Sequence, residues 1–361
     1  MFRLAPRGRS AASVLALAVA GLAAPAAPAL ASEQAVTIVA GHPPVFRWVK
    51  HASQTFIPAV NAALEGSGHH ITFLEQYGGA LAGVGEELET VEVGLAELGL
   101  VSSLFDPSKL AIQNVTYVTP FVSPDSTKIA TMMDRLQAED PRMRASWEEN
   151  NLEYLGCAIG IDDYLLMTEF PVESLADLDG RKIAAPGAAV NWLAGTGAVG
   201  VSGNLTTYYN EIKSGVYDGV IVFASAALPG KLHEVAPYIT RLGFGGQYAG
   251  GMAANKDWYE EQPEAVRTAL KEACAAYSEA YQSDLDAAVA GAFEVMEANG
   301  ATITDASVEM REAWAAGMDN NAKQWAEQLD ASGKAGTEIL SLYMDAMRAA
   351  GAEPVRDWDA E

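Results

Sequence analysis

Aromatic, acidic and polar side chains recur where predicted strands end, and together they could line a cleft for a small solute. Aromatic faces attract cations, and a nearby carboxylate adds to that attraction. The alternative is that the rings belong to the core and the acids to a solvated acidic face. The candidates are His42, Phe46, Arg47, Trp48, Glu75, Tyr77, Ser102, Tyr117, Asp162, Asp163, Tyr164, Asn204, Tyr208, Tyr209 and Phe223.

Motifs for catalysis and cofactor binding are weak. Gly195, Gly197 and Gly200 fit GxGxxG, but a dinucleotide fingerprint needs a strand before it and a long helix after it, so a glycine-rich turn is the better interpretation. The sequence contains no HExxH, no GxSxG and no CxxC. It therefore predicts a protein that is not an enzyme and needs neither cofactor nor structural metal.

Two stretches predict the elements that must position these side chains. Strands at 36–40, 70–74 and 98–101 alternate with helices at 46–64 and 86–93, which favours a parallel sheet with ligands at its carboxyl edge. Residues 177–223 predict a second α/β unit, in which Pro186 and Gly187 end a strand. A helix from Pro263 to Asn299 would span roughly 50 Å, unless it breaks near Ser283. We also expect a kink at Pro58, a strand at 154–160 and two final helices at 305–333 and 334–351.

Two runs in the second unit carry a resemblance to a known family. DLDGRKIA at 177–184 and YNEIKSGVYDG at 209–219 are similar to runs of the periplasmic solute-binding proteins of TRAP transporters. The resemblance extends over nearly all of residues 36–300. One position departs from it, because the arginine that grips an organic acid in that family falls at Ala184.

The resemblance implies an α/β fold with two lobes, of the type II-like periplasmic binding-protein class, and a long helix that crosses both. Its expected division is a signal peptide at 1–31, a first lobe of 32–158 and 248–290, and a second lobe of 159–247 and 291–361. It implies a receptor that captures a small polar metabolite between the lobes and delivers it to the membrane subunits of the transporter.

The ligand's charge stays open at this stage. The family habit favours an organic acid, whereas Ala184, Asp162 and Asp163 favour an amine or a zwitterion whose acid is met by Arg47. Two other functions also stay open, a periplasmic enzyme on the same scaffold and a receptor that serves a signalling protein.

Residues 1–31 have the features of a secretory signal peptide: three arginines, an apolar run, and Ala29-Leu30-Ala31 as cleavage site. The alternative is a retained anchor. The formal charge of −24 becomes −27 when the three arginines of this acid-free segment are removed. Such a chain should repel nucleic acid and anionic membranes, so we expect a periplasmic protein that binds no nucleic acid and does not insert into the membrane.

Cys157 and Cys274 are the two cysteines of the sequence. An oxidising compartment permits a disulfide between them. Because Cys157 lies in a predicted apolar strand and Cys274 on a predicted helix, two buried free thiols are the equally open alternative.

Overall fold

The structure, a computed structural model, describes residues 32–361. Its strands are β1 (Ser32–Ala40), β2 (His69–Tyr77), β3 (Leu98–Ser102), β4 (Leu152–Gly156), β5 (Gly160–Ile161), β6 (Tyr164–Thr168), β7 (Lys182–Ala185), β8 (Val199–Ser202), β9 (Gly219–Phe223), β10 (Tyr238–Arg241), β11 (Gln247–Tyr248), β12 (Gly250–Asn255) and β13 (Thr302–Asp305). Its α-helices are α1 (Arg47–His51), α2 (Ile57–Ala63), α3 (Glu87–Glu92), α4 (Val115–Val118), α5 (Ser126–Glu139), α6 (Pro141–Glu148), α7 (Tyr208–Lys213), α8 (Ala224–Ala227), α9 (Lys256–Glu260), α10 (Glu264–Ala298), α11 (Val308–Gly317), α12 (Asn321–Ala331) and α13 (Gly336–Ala349).

The first sheet has the strand order β2-β1-β3-β12-β4. β1 pairs in parallel with β2 and β3, as the alternation of strands and helices predicts. β12 pairs antiparallel with β3 and β4, so the sheet is mixed and not wholly parallel. Val36 and Ile38 face one buried cluster and Val39 faces another, because successive side chains of a strand point to opposite faces.

The second sheet has the order β13-β10-β6-β9-β7-β8. The parallel strands β8-β7-β9 are the unit predicted from residues 177–223, and β10 also pairs in parallel with β13. A two-stranded antiparallel ribbon, β5 with β11, lies where the chain passes between the two sheets. Between these passages, Tyr164 to Arg241 supply five of the second sheet's six strands.

Helix α10 is continuous over 35 residues, with no break at Ser283. At 1.5 Å per residue it is roughly 50 Å long. It contacts α1, α2 and β4, and it also contacts α8 and β13 of the other half. The prediction of one long helix that reaches both halves is therefore confirmed.

Three local predictions need correction. The strand expected at 154–160 is interrupted, because Cys157 adopts a left-handed φ of 53° between β4 and β5. The disturbance expected at Pro58 is a π-helical turn, Ala52–Phe56, which accommodates a proline that cannot donate to the preceding turn. The C-terminal part has three helices where two were expected, since Asn320 caps a new one by accepting from the Lys323 N–H at 2.9 Å.

Cys157 and Cys274 form a disulfide that joins the turn after β4 to α10. This settles, for the described structure, the alternative that the sequence left open. The bond fixes the point at which the chain leaves the first sheet against the helix that spans both halves.

The division into lobes remains a prediction. The ribbon β5–β11 lies close to the expected boundaries at 158/159 and 247/248. The last helices contact elements assigned to the first lobe: the indole N–H of Trp325 donates to the Ala111 carbonyl at 2.9 Å, and that of Trp358 to the Pro120 carbonyl at 2.7 Å. These contacts do not favour placing the final helices in the second lobe.

The predicted signal peptide, residues 1–31, lies outside the described residues. From Ser32 onwards, no helix has both the length and the apolar character that a membrane span requires.

Candidate functional site

A cavity lies between the two sheets and contains about 450 Å³ of empty space, part of it open to solvent. His42 follows β1, Ser102 ends β3, Pro186 follows β7 and Phe223 ends β9, so strand ends from both sheets supply the walls. The lining residues are His42, Trp48, Ser102, Leu104, Phe105, Tyr117, Ile159, Ile161, Tyr164, Pro186, Leu205, Tyr208, Ile221, Val222, Phe223 and Ala249.

The rings around the cavity support one another. Trp48 stacks on Phe46, with ring centroids 5.0 Å apart, and the edge of His42 meets the Trp48 ring at 5.3 Å. Across the cavity, Tyr164 packs edge-on against Phe223 at 5.1 Å. Such stacked and edge-to-face pairs fix ring orientation, so these walls are preformed.

Three of the residues that line the cavity are tyrosines, Tyr117, Tyr164 and Tyr208. Tyr117 Oη lies 3.0 Å from Tyr164 Oη, and because one of them donates to the other, one hydrogen of the pair remains for a further bond. Tyr208 is fully buried, and its hydroxyl has no hydrogen-bond partner among the described residues. Burial raises the pKa of all three tyrosines well above the usual value, so each keeps its proton at neutral pH.

His42 brings a neutral imidazole to the site, because burial lowers its pKa to about 4. Next to it, Glu87 accepts from the Gly41 N–H at 3.0 Å and from the Gly85 N–H at 2.7 Å. Burial raises the pKa of Glu87 to about 7. This carboxyl holds the loop after β1 to the loop before α3 and is not part of the lining.

Seven of the residues predicted for the site line the cavity. They are His42, Trp48, Ser102, Tyr117, Tyr164, Tyr208 and Phe223. Phe46 lies behind Trp48 and supports it.

The three predicted carboxylates lie elsewhere. Asp162 accepts from the Ser225 N–H at 3.1 Å and from the Ser225 hydroxyl at 2.5 Å. Asp163 accepts from the Gly245 N–H at 2.7 Å and lines a separate open depression. Burial raises the pKa of Asp162 to about 6 and that of Asp163 to about 7. Glu75 is exposed and accepts a hydrogen bond from the Ser53 hydroxyl. None of the three carboxylates is among the residues that line the cavity.

The predicted base is also engaged away from the cavity. Arg47 donates to Asp284 on α10 at 2.9 Å and is not among the lining residues. The same Asp284 oxygen accepts from Lys50 at 3.0 Å and lies 3.0 Å from Nε2 of His51. Three basic side chains of α1 therefore converge on one carboxylate.

The remaining predicted residues are not among those that line the cavity. Tyr209 donates to Glu234 at 2.9 Å on the surface, and Asn204 accepts from the Thr206 N–H at 3.0 Å. Tyr77 is half-buried at the end of β2. Ala184 is fully buried in the same cluster as Tyr208, within the sheet.

The lining residues that were not predicted are mostly aliphatic. Pro186 directly follows a predicted strand and Phe105 lies in the loop after the strand predicted at 98–101, so strand-end position was a signal for both. Ile159 and Ile161 flank the chain passage, and Ile221 and Val222 lie inside β9. An aliphatic residue inside a buried strand gives no sequence sign that it faces a ligand.

The glycine-rich run is a structural turn, as interpreted from the sequence. A side chain at Gly195 would lie 2.1 Å from the Gly317 carbonyl oxygen, and one at Gly197 would lie 2.8 Å from Asp179 Oδ1. These glycines permit close packing between segments.

Comparison with known proteins agrees with this architecture. Residues 57–328 match the family described as bacterial extracellular solute-binding protein, family 7. No curated protein matches the sequence. A marine metagenome TRAP solute-binding protein from an unidentified microbe, specific for pyroglutamate, is 21% identical over 88% of this chain and 99% of its own, with a TM-score of 0.72.

Two further solved structures are similar at comparable identity. The periplasmic ectoine-binding protein of a Halomonas elongata TRAP transporter is 19% identical over 87% of this chain and 99% of its own, with a TM-score of 0.73. A Chromohalobacter salexigens TRAP solute-binding protein with bound D-glucuronate is 19% identical over 87% and 100%, with a TM-score of 0.72. These likenesses confirm the predicted two-lobed α/β fold.

Proposed function

Because the chain belongs to the bacterial extracellular solute-binding proteins of family 7, we propose that it captures a small solute between its two lobes and delivers it to the membrane subunits of a TRAP transporter. Family membership confirms the predicted class, a solute-binding protein and not an enzyme. The observation that carries the proposal is a preformed cavity whose walls come from both sheets.

Capture would work by movement of one half against the other. The chain passes between the sheets at β5 and β11, and α10 reaches both halves, so few segments need to bend. A solute that contacts walls from both sheets stabilises the closed arrangement, and hinge closure around a ligand is the expected response.

Both predicted ligand chemistries lack a charged partner at the cavity. The similar structures name pyroglutamate, ectoine and D-glucuronate, which are acids or a zwitterion. In this chain an acid would need a base, and Arg47 pairs with Asp284; an amine would need a carboxylate, and Asp162 binds Ser225. The receptor role does not depend on which class is bound.

The test begins with protein purified from its native export compartment. Denaturation and mass spectrometry should release one small molecule in nearly equimolar amount, and adding it back to stripped protein should raise the melting temperature without being consumed. Turnover of that molecule would support the enzyme alternative. Loss of its cellular uptake when the receptor gene is deleted, restored by the gene, should accompany binding; unchanged uptake would contradict delivery to a transporter.

A further inference from the structure

We propose that the part of the solute enclosed by the cavity is uncharged: an apolar body with one or two neutral hydrogen-bonding groups, such as a hydroxyl, ketone or amide. This inference rests on the proposed solute-binding role of the cavity. It follows from the chemistry of the side chains that line the cavity and from the partners of the charged groups nearby.

The walls carry no charge. None of the cavity-lining residues is Asp, Glu, Lys or Arg, and the single histidine, His42, is neutral at physiological pH. A carboxylate or an ammonium moved from water into such a site loses its hydration without gaining an opposite charge. Arg47 donates to Asp284 through Nη1, so a ligand carboxylate would compete with Asp284 for this guanidinium, whose buried Nε has no partner among the described residues.

The aromatic residues do not form a cage for a cation. Aliphatic side chains, Ile159, Ile161 and Ile221 among them, share the cavity lining with the rings. The nearby buried carboxyl groups face other partners, Asp162 towards Ser225 and Glu87 towards Gly41. Attraction by ring faces alone would not replace the hydration of an ammonium.

The polar groups that remain suit a neutral ligand. The Tyr208 hydroxyl is fully buried and has no hydrogen-bond partner within residues 32–361, a state that costs free energy until something bonds it. The Tyr117–Tyr164 pair retains one hydrogen to donate. Two protonated phenols are good partners for a carbonyl or hydroxyl oxygen.

The sheet places no base behind these phenols. Ala184 pairs in register with Val201 on β8 and Val220 on β9, and it shares a buried cluster with Tyr208. These three positions in the cluster around Tyr208 therefore carry apolar side chains and no charge.

The first experiment uses three fractions of a bacterial metabolite extract. A strong cation exchanger at acid pH retains amines and zwitterions, a strong anion exchanger at alkaline pH retains acids, and uncharged compounds pass through both. Protein comprising residues 32–361, stripped of bound solute, should show a rise in melting temperature of several degrees with the uncharged fraction. A rise with a retained fraction alone would overturn the inference and leave the receptor role intact. No rise with any fraction would count against both proposals.

The second experiment uses two Tyr→Phe variants of neighbouring residues on α7. Each removes one hydroxyl: Tyr208→Phe the unpartnered one, and Tyr209→Phe the surface one that bonds Glu234. With the compound purified from the active fraction, Tyr208→Phe should weaken binding about tenfold, the loss of one hydrogen bond. Tyr209→Phe should leave the affinity unchanged.

The solute-free proteins provide a readout that separates ligand binding from a structural role. Because Tyr208→Phe removes a buried hydroxyl that has no partner, the solute-free variant should melt at the same temperature as the parent or slightly above it. Lower affinity together with undiminished stability supports the inference. Unchanged affinity, or a loss of affinity matched by a loss of folding, overturns the role of Tyr208.

Discussion

Arg47 Nη1 lies 2.9 Å from Asp284 Oδ2. Arg47 directly precedes the cavity-lining Trp48 in the sequence, yet its guanidinium pairs with the long helix α10 and is not part of the cavity wall. Lys50 and His51 reach the same oxygen, at 3.0 Å each. This cluster fixes α1 to α10 next to the cavity wall that Trp48 contributes. It also makes Asp284 the residue through which this packing can be tested.

Replacing Asp284 should destabilise the protein in a pH-dependent way. Bonds from Lys50, His51 and Arg47 hold the pKa of Asp284 at about 2, below its ordinary value. The stabilisation is therefore present above the unfolded-state value near 3.8 and is lost as pH falls towards about 2. Because the groups are partly exposed, we expect Asp284→Asn to lose about 1 kcal/mol of unfolding free energy at neutral pH.

Urea unfolding as a function of pH measures this effect. The difference between parent and Asp284→Asn should shrink below pH 3.8. Asp286→Asn, at an exposed acid two residues along the same helix, is the matched control and should change little. A difference that stays constant down to the lowest pH would show that the carboxylate's charge is not what stabilises the cluster.

A side chain at Gly195 should be poorly tolerated. Gly195 has a φ of 79°, and a β-carbon there would lie 2.1 Å from the carbonyl oxygen of Gly317, the last residue of α11. Gly195→Ala should cost about 3 kcal/mol in calorimetry or urea unfolding, from backbone strain and overpacking.

Gly291 provides the control for that substitution. It lies inside α10, where an added β-carbon meets nothing within 4 Å. Gly291→Ala should stabilise the protein by about 0.5–1 kcal/mol, because alanine loses less backbone entropy in a helix. Equal effects of the two substitutions would mean that the contact between residues 195 and 317 does not form in solution.

The elements were predictable where local chemistry determines them. Pro186 and Gly187 end β7 and Gly215 follows α7, so the unit at 177–223 was placed almost to the residue. The aromatic part of the cavity was found for a similar reason, since strand ends converge at one edge of a sheet.

The orientation of the acidic side chains was not predictable from the sequence, because their hydrogen-bond partners are distant along the chain. A hydrogen bond from Ser225, 63 residues away, orients the Asp162 side chain, and one from Gly245, 82 residues away, orients the Asp163 side chain. Arg47 is paired with Asp284, 237 residues away. No pattern around residues 47 or 162 contains that information. The antiparallel return of β12 into the first sheet depends on the same kind of long-range pairing.

Reduction of the disulfide should destabilise the protein substantially. The bond joins residues separated by 117 positions, and in the chain-entropy account closing a loop of that size contributes about 5 kcal/mol. Dithiothreitol should lower the parent's melting temperature. Cys157→Ala combined with Cys274→Ala should start from the lower temperature and show no response to the reductant. A parent that is equally insensitive would indicate that the bond is absent in solution.

Solute should make the protein more compact. A folded chain of 330 residues, 361 less the 31 before Ser32, has an expected radius of gyration of roughly 20 Å. Solution scattering with the compound purified from the active fraction should give a slightly smaller value than without it. Tyr208→Phe at the same compound concentration should contract less. Identical curves at saturation would contradict hinge closure.

The mature chain should begin at Ser32. The predicted cleavage motif ends at Ala31, and β1 begins at the next residue. Intact-mass measurement of exported protein should show the loss of residues 1–31, and Ala31→Trp should block it, because the cleavage site requires a small side chain. Retention of Met1 to Ala31 in the parent would contradict release into the periplasm.

The disulfide also closes a covalent loop of the chain from Cys157 to Cys274, and this loop contains most of the second sheet. Every strand from β5 to β12 lies between Cys157 and Cys274, so a force applied to the two chain ends cannot be transmitted into that segment. In single-molecule pulling, the oxidised protein should yield a contour length shorter than the reduced protein by roughly 400 Å, which is the extended length of 117 residues. A translocation or degradation machine that pulls the chain from one end would meet the same closed loop. It would have to pass two segments of polypeptide side by side, unless the disulfide is reduced first.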